Sequence, residues 1–175
     1  MSKKRRVNDY VPPPYLSSFQ HGDRFTVLYQ SLLLSEAFLS LTKSQQCLYM
    51  WMTFQQHAVN AKDHPGGDNT KFYFNRRLYK GDYRLYSNAE SFEKDRDALI
   101  EKGFIRCLEA GANTRSKAVY QYSEKWQLYG KSGFKINPNE MSVSLRRKLG
   151  IERKGKQSEK SDESEKAVEE MENNG

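Results

Sequence analysis

The chain has 175 residues and a formal net charge of +7, which allows one domain with polar ends. No apolar run approaches the ~20 residues needed to cross a bilayer, and no apolar segment follows the basic N-terminus as a secretory signal requires. Hydrophobic residues make up only 37% of the chain while aromatics reach 13%, so the expectation is a small, ring-rich core with part of the chain unpacked.

The excess of basic residues favours polyanionic partners. Neither of the two cysteines, Cys47 and Cys107, belongs to a CxxC. A disulfide framework is not expected, and a reducing cytoplasm is the simpler setting. The sequence contains no GxxxxGK[ST], GxGxxG or HExxH pattern, and Cys47, His57 and His64 match no common zinc spacing. No catalytic residue, metal or cofactor is therefore assigned, and a non-enzymatic role is expected.

Residues 1–24 open with Lys3 to Arg6 (KKRR) and continue into Pro12-Pro13-Pro14. This reads as a basic, extended arm, either set against a phosphate backbone or simply solvated. Arg24 to Tyr29 reads as a short strand or extended lead-in, and Ser31 to Leu39 as a short helix packing Leu32, Leu33, Ala37 and Phe38. Thr42-Lys43-Ser44-Gln45 is a T-x-x-Q capping box. The helix behind it, about Ser44 to Asn60, carries Cys47, Leu48, Trp51, Phe54 and Ala58 at helical spacing.

Lys62 to Thr70 is a loop and Phe72 to Phe74 a strand candidate. Asn75 is expected to cap a brief helix, Arg76 to Lys80, ending at Gly81. Ser87-Asn88-Ala89-Glu90 reads as a second capping box. It starts a helix to Lys102 with Ala89, Phe92, Arg96, Leu99 and Ile100 along one side. Gly103 supplies the left-handed residue that ends it. Phe104 to Leu108 and Ala118 to Tyr122 are strands joined by a polar loop, and Trp126, Leu128 and Tyr129 are expected to fold back over the core. Asn137-Pro138-Asn139 is a turn and Arg146-Arg147-Lys148 a basic cluster. Residues 131–175 read as a charged, largely disordered tail.

This order predicts an α+β fold over residues 25–130, a winged helix-turn-helix with a three-helix core and a β-hairpin wing. In such a module the Ser87–Lys102 helix faces the major groove and the wing lies along the adjacent backbone. Asn88, Ser91, Lys94 and Asp95 are the candidates for base edges. Arg76, Arg77, Lys80 and Arg84 before the helix, with Arg115 and Lys117 on the wing, are the candidates for phosphates. The helix itself carries five acids (Glu90, Glu93, Asp95, Asp97, Glu101) against three bases, a balance that repels phosphate. Docking of the module onto another protein is the alternative.

Four segments carry a resemblance: Leu32 to Thr42, Gln45 to Met52, Leu85 to Ile105 and Tyr120 to Gly130. Together they resemble the winged-helix domains of replication-initiation and regulatory proteins of bacterial plasmids, phages and integrative elements. The resemblance implies a cytoplasmic protein of a mobile genetic element that binds double-stranded DNA in replication or transcription regulation. Its further partners would be other replication or regulatory proteins, with no membrane and no catalytic residue.

Overall fold

The computed structural model describes residues 26–58, 64–111 and 117–151. Its helices are α1 (Gln30–Leu33), α2 (Glu36–Leu39), α3 (Lys43–Ala58), α4 (Ala89–Glu101) and α5 (Val143–Lys148). Its strands are β1 (Lys71–Tyr73), β2 (Ile105–Glu109) and β3 (Val119–Tyr122), antiparallel in the order β1-β3-β2. The expected α+β class is observed.

The register explains how the sheet makes a core. Phe72 stands opposite Tyr120, and Tyr120 opposite Cys107. All three are buried, so this row packs against the helices. One residue along, Lys71, Gln121 and Arg106 form a row on the other face. Here Arg106 donates to the Gln121 side-chain oxygen at 2.6 and 2.9 Å, and the Gln121 amide donates to the Thr70 hydroxyl at 2.7 Å.

Glu140 extends this outer layer, accepting from Arg106 at 3.1 Å and Lys125 at 2.8 Å. Burial pushes the Glu140 carboxyl up, but the hydrogen bonds and charges of Lys125 and Arg106 outweigh it and hold it below its ordinary 4.5. A depressed folded value means the contribution is complete above the ordinary value and is lost as pH falls through the folded one. Glu140→Gln should therefore be less stable than wild type at neutral pH, with the deficit shrinking on acidification. A deficit unchanged down to about pH 2 would contradict this.

The first capping box forms as expected. The Gln45 N–H donates to Thr42 Oγ1 at 3.3 Å, and the Thr42 N–H donates to Gln45 Oε1 at 3.0 Å. Before it, the single helix expected over Ser31–Leu39 is two single turns. Ser35 breaks it: its hydroxyl donates to the Leu32 carbonyl at 2.7 Å and accepts from the Phe38 N–H at 3.1 Å, so it ends α1 and caps α2. Thr26 to Tyr29 forms no strand.

In α3 the buried line is Gln45, Leu48, Tyr49, Met52 and Thr53. Cys47, Trp51 and Phe54 are only half-buried on a neighbouring line, where Trp51 stacks on Tyr83 with ring centroids 4.3 Å apart. The helix is apolar on two adjacent stripes, and the expected one is the shallower.

Asn75 caps the turn after β1 by accepting from the Leu78 N–H at 3.3 Å. The turn, Arg77–Asp82, is wider than an α-helical one and runs through Gly81. The expected stop at Gly81 is replaced by Arg84, which takes a positive φ of 51°. The N–H groups of Leu85 and Tyr86 then both reach the Tyr79 carbonyl, at 2.8 and 3.1 Å. The second capping box is also corrected by one residue: Asn88, not Ser87, caps α4, its Oδ1 accepting from the Ser91 N–H at 2.8 Å. Asn88→Ala should cost about 1 kcal/mol. A chemical-denaturation midpoint identical to wild type would contradict that cap.

The expected boundary at residue 130 moves. Ile136 and Ile151 pack against the core, and Met141 and Leu145 are buried within it, so the fold runs to Ile151 rather than giving way to a tail at 131. Residues 1–24 and 152–175 lie outside the described residues. Trp126 stacks over Phe104 with ring planes 5° apart and Tyr129 is half-buried, but Leu128 points out and is 45% exposed.

Candidate nucleic-acid interface

The two sides of helix α4 differ in kind. Phe92, Leu99 and Ile100 are buried apolar residues. Phe92 stacks on Tyr79 with centroids 4.2 Å apart and lies edge-on to Tyr86 at 5.8 Å. These rings bind the segment carrying Arg76, Arg77, Lys80 and Arg84 to the helix that follows it. All four cations are exposed. Arg77 approaches Asp82 at 3.5 Å, with its side chain 84% exposed, a pairing too open to hold it.

Asp95, expected among the base-edge residues, is buried. Its carboxylate accepts from Tyr86 Oη at 2.8 Å and from the Gln45 amide at 3.3 Å, fixing α4 to α3. Burial, and then the hydrogen bond to Asp95, push the Tyr86 phenol well above its ordinary value. Asp97 is buried as well. Arg96 donates to it from two nitrogens at 3.0 and 2.9 Å, and the Ser142 and Ser144 hydroxyls complete its shell.

The acidic character of the helix is thus partly internal. Glu101 pairs with Lys148 at 3.0 Å. Lys102 donates to the Ser40 carbonyl at 2.8 Å and lies over the Tyr129 ring. The N-terminal half of α4 exposes Glu90, Ser91, Glu93 and Lys94. Ser91 and Lys94 stand three apart and share a face. Asn88 is exposed, but its side-chain oxygen is committed to the cap. A bidentate pairing of Asn88 with adenine would lose its acceptor, and only the amide donor remains free.

At the hairpin, Lys117 is exposed, and its ammonium sits 5.2 Å from the centre of the Tyr73 ring, held there by the ring's negative face. Tyr73, Lys117, Lys71 and Glu109 line a cleft of about 490 Å³ beside Pro65 and Gly66. Arg115 lies outside the described residues. Residue patterns did not single out Tyr73 as the seat of Lys117. That pairing depends on strand register, which places Tyr73 opposite Val119 two residues beyond Lys117.

Among the described residues no three His, Cys, Asp or Glu side chains converge as metal ligands would. His64 is buried, with Nδ1 2.7 Å from the Lys71 carbonyl, a structural contact. No helix among the described residues is long and apolar enough to cross a membrane.

The chain matches no family model, no curated protein and no solved structure.

Proposed function

We propose that this domain is a winged helix-turn-helix that binds duplex DNA. In this reading α3, the Arg77–Asp82 turn and α4 are its three helices, and the β2–β3 hairpin is its wing. The element order, with β1 pairing to β3, supports the fold. The observation that carries the function is the inward orientation of Asp95 and Asp97. It removes two carboxylates from the side of α4 that would meet phosphates, while Arg76, Lys80, Arg84, Lys94 and Lys117 remain exposed. Cations on both flanks of a helix suit backbone positioning, with Ser91 and Lys94 available for base edges. The sequence resemblance adds the proposed setting: replication or transcription regulation on a mobile genetic element, in the cytoplasm.

A second reading, docking onto another protein, is favoured by the exposed Glu90 and Glu93 and by Leu34 and Leu39, which are 65% and 63% exposed. Two sets of variants separate the readings. In the first, Arg84→Ala and Lys117→Ala should weaken binding to every duplex and each lower the salt slope by about one phosphate. Lys94→Ala should instead flatten preference among sequences. In the second, Glu90→Lys with Glu93→Lys should leave DNA retention intact or stronger. Duplex binding that neither Arg84→Ala nor Lys117→Ala weakens, with a partner pull-down that the Glu90→Lys, Glu93→Lys double variant abolishes, would favour protein docking.

A further inference from the structure

Helix α5 lies outside the helix-and-wing unit, yet it is fastened to α4 with unusual definition. Ser142 caps it, accepting from the Leu145 N–H at 3.1 Å, and the same hydroxyl donates to Asp97. Ser144 donates to Asp97 at 2.6 Å and accepts from Arg96 at 2.6 Å. Leu145 is fully buried beneath. At the other end Gly150, at φ 65°, lets the Ile151 N–H return to the Arg146 carbonyl at 2.9 Å, and Ile151 packs on the core. Both ends of this short helix are therefore fixed, and so is the direction of its basic last turn.

That turn reaches the outward side of α4. Lys94 and Glu101 are seven residues apart and fall on one stripe of the helix. At the end of that stripe Lys148 meets Glu101, with side chains 64% and 34% exposed. Arg147 beside it is exposed and enters no ion pair among the described residues.

We propose that α5 is a second backbone-contacting element of the interface. Lys148 neutralises Glu101, so that the C-terminal end of the α4 stripe does not repel a phosphate, and Arg147 contacts the phosphate that can then approach. The partner is the duplex backbone, because Arg147 and Lys148 expose charge, and beside them only Leu149 exposes a large apolar side chain among the described residues. This rests on the duplex-binding reading above.

The test is binding of the full chain to a random 30-base-pair duplex over a salt series. Arg147→Ala should weaken binding roughly three- to tenfold and reduce the salt slope by about 0.9. Lys148→Ala should weaken binding by unmasking Glu101, and Glu101→Gln in that background should restore it. A purely structural α5 would not yield this rescue. Unfolding midpoints measured alongside identify any variant that fails to fold, and Glu101→Gln alone, which disturbs the fold least, should bind at least as tightly as wild type. If Arg84→Ala loses affinity while Arg147→Ala and Lys148→Ala do not, the α5 proposal falls and the duplex reading stands. If the unaltered chain binds no duplex, both fall.

Discussion

Gly103→Ala is expected to cost about 3 kcal/mol and to lower the unfolding midpoint by roughly 10 °C. Two effects add. Gly103 sits at φ 78°, where a side chain is strained by about 1 kcal/mol. A Cβ there would also lie 2.8 Å from Lys125 Cβ, 2.8 Å from the Trp126 nitrogen and 2.9 Å from the Lys125 carbonyl carbon. Two of those atoms are backbone and have no rotamer to escape into. The backbone cannot retreat easily, because the Trp126 N–H is bonded to the Gly103 carbonyl at 3.1 Å and the Phe104 N–H to the Leu99 carbonyl at 3.0 Å. Gly133→Ala is the control: it has open space and no positive φ, and it should change stability by no more than about 0.5 kcal/mol. Equal midpoints for the two variants would show that the helix-to-strand corner tolerates a side chain, against this account.

Asp97→Ala should be as damaging, at about 3–5 kcal/mol. The substitution leaves Arg96, also buried, without its carboxylate and removes the acceptor shared by Ser142 and Ser144. The penalty comes mainly from the stranded charge rather than from the worth of the pair. Arg96→Met should therefore relieve it: the double variant Arg96→Met with Asp97→Ala should lose clearly less than the two single losses combined. Strict additivity would mean that Asp97 and Arg96 are not energetically coupled. Because Asp97 holds α5, the single variant should also expose the 143–148 helix to rapid amide exchange.

The parts of the fold legible in the sequence were those with local chemistry. Thr42 with Gln45, the glycine at 103, the Asn137 turn and the ring-rich run from Phe72 to Phe74 each specify their geometry within a few residues. The rest depended on contacts between distant positions. Ser35 looks like any helix residue until its hydroxyl competes for the backbone. Arg84 takes over the turn from Gly81 because Tyr79 gathers two N–H groups, which no composition reveals. Helix α5 has too few apolar residues to announce itself, and it is held by Asp97, which is 45 residues from Ser142 in the chain.

The candidate site was legible in its cations and illegible in its acids. Arg76, Arg77, Lys80, Arg84, Lys94 and Lys117 are exposed, as charged residues usually are. Asp95 and Asp97 are the exceptions to that rule. Helical spacing already put Asp95 within reach of the inner stripe formed by Phe92, Arg96 and Leu99. It did not show that Tyr86, Gln45 and two serines would satisfy two carboxylates there. The corrected helix presents fewer negative charges than its composition implies.

The central claim is that the outward side of α4 and its flanking cations form a duplex-binding surface. Equilibrium binding of the full chain to the duplex flanking its own coding region, titrated from 50 to 200 mM salt, tests it most directly. With about four to six phosphates neutralised, the logarithm of affinity should fall with the logarithm of salt at a slope of roughly −4 to −5. Undetectable binding to any duplex at the lowest salt, or an affinity insensitive to salt, would contradict the claim.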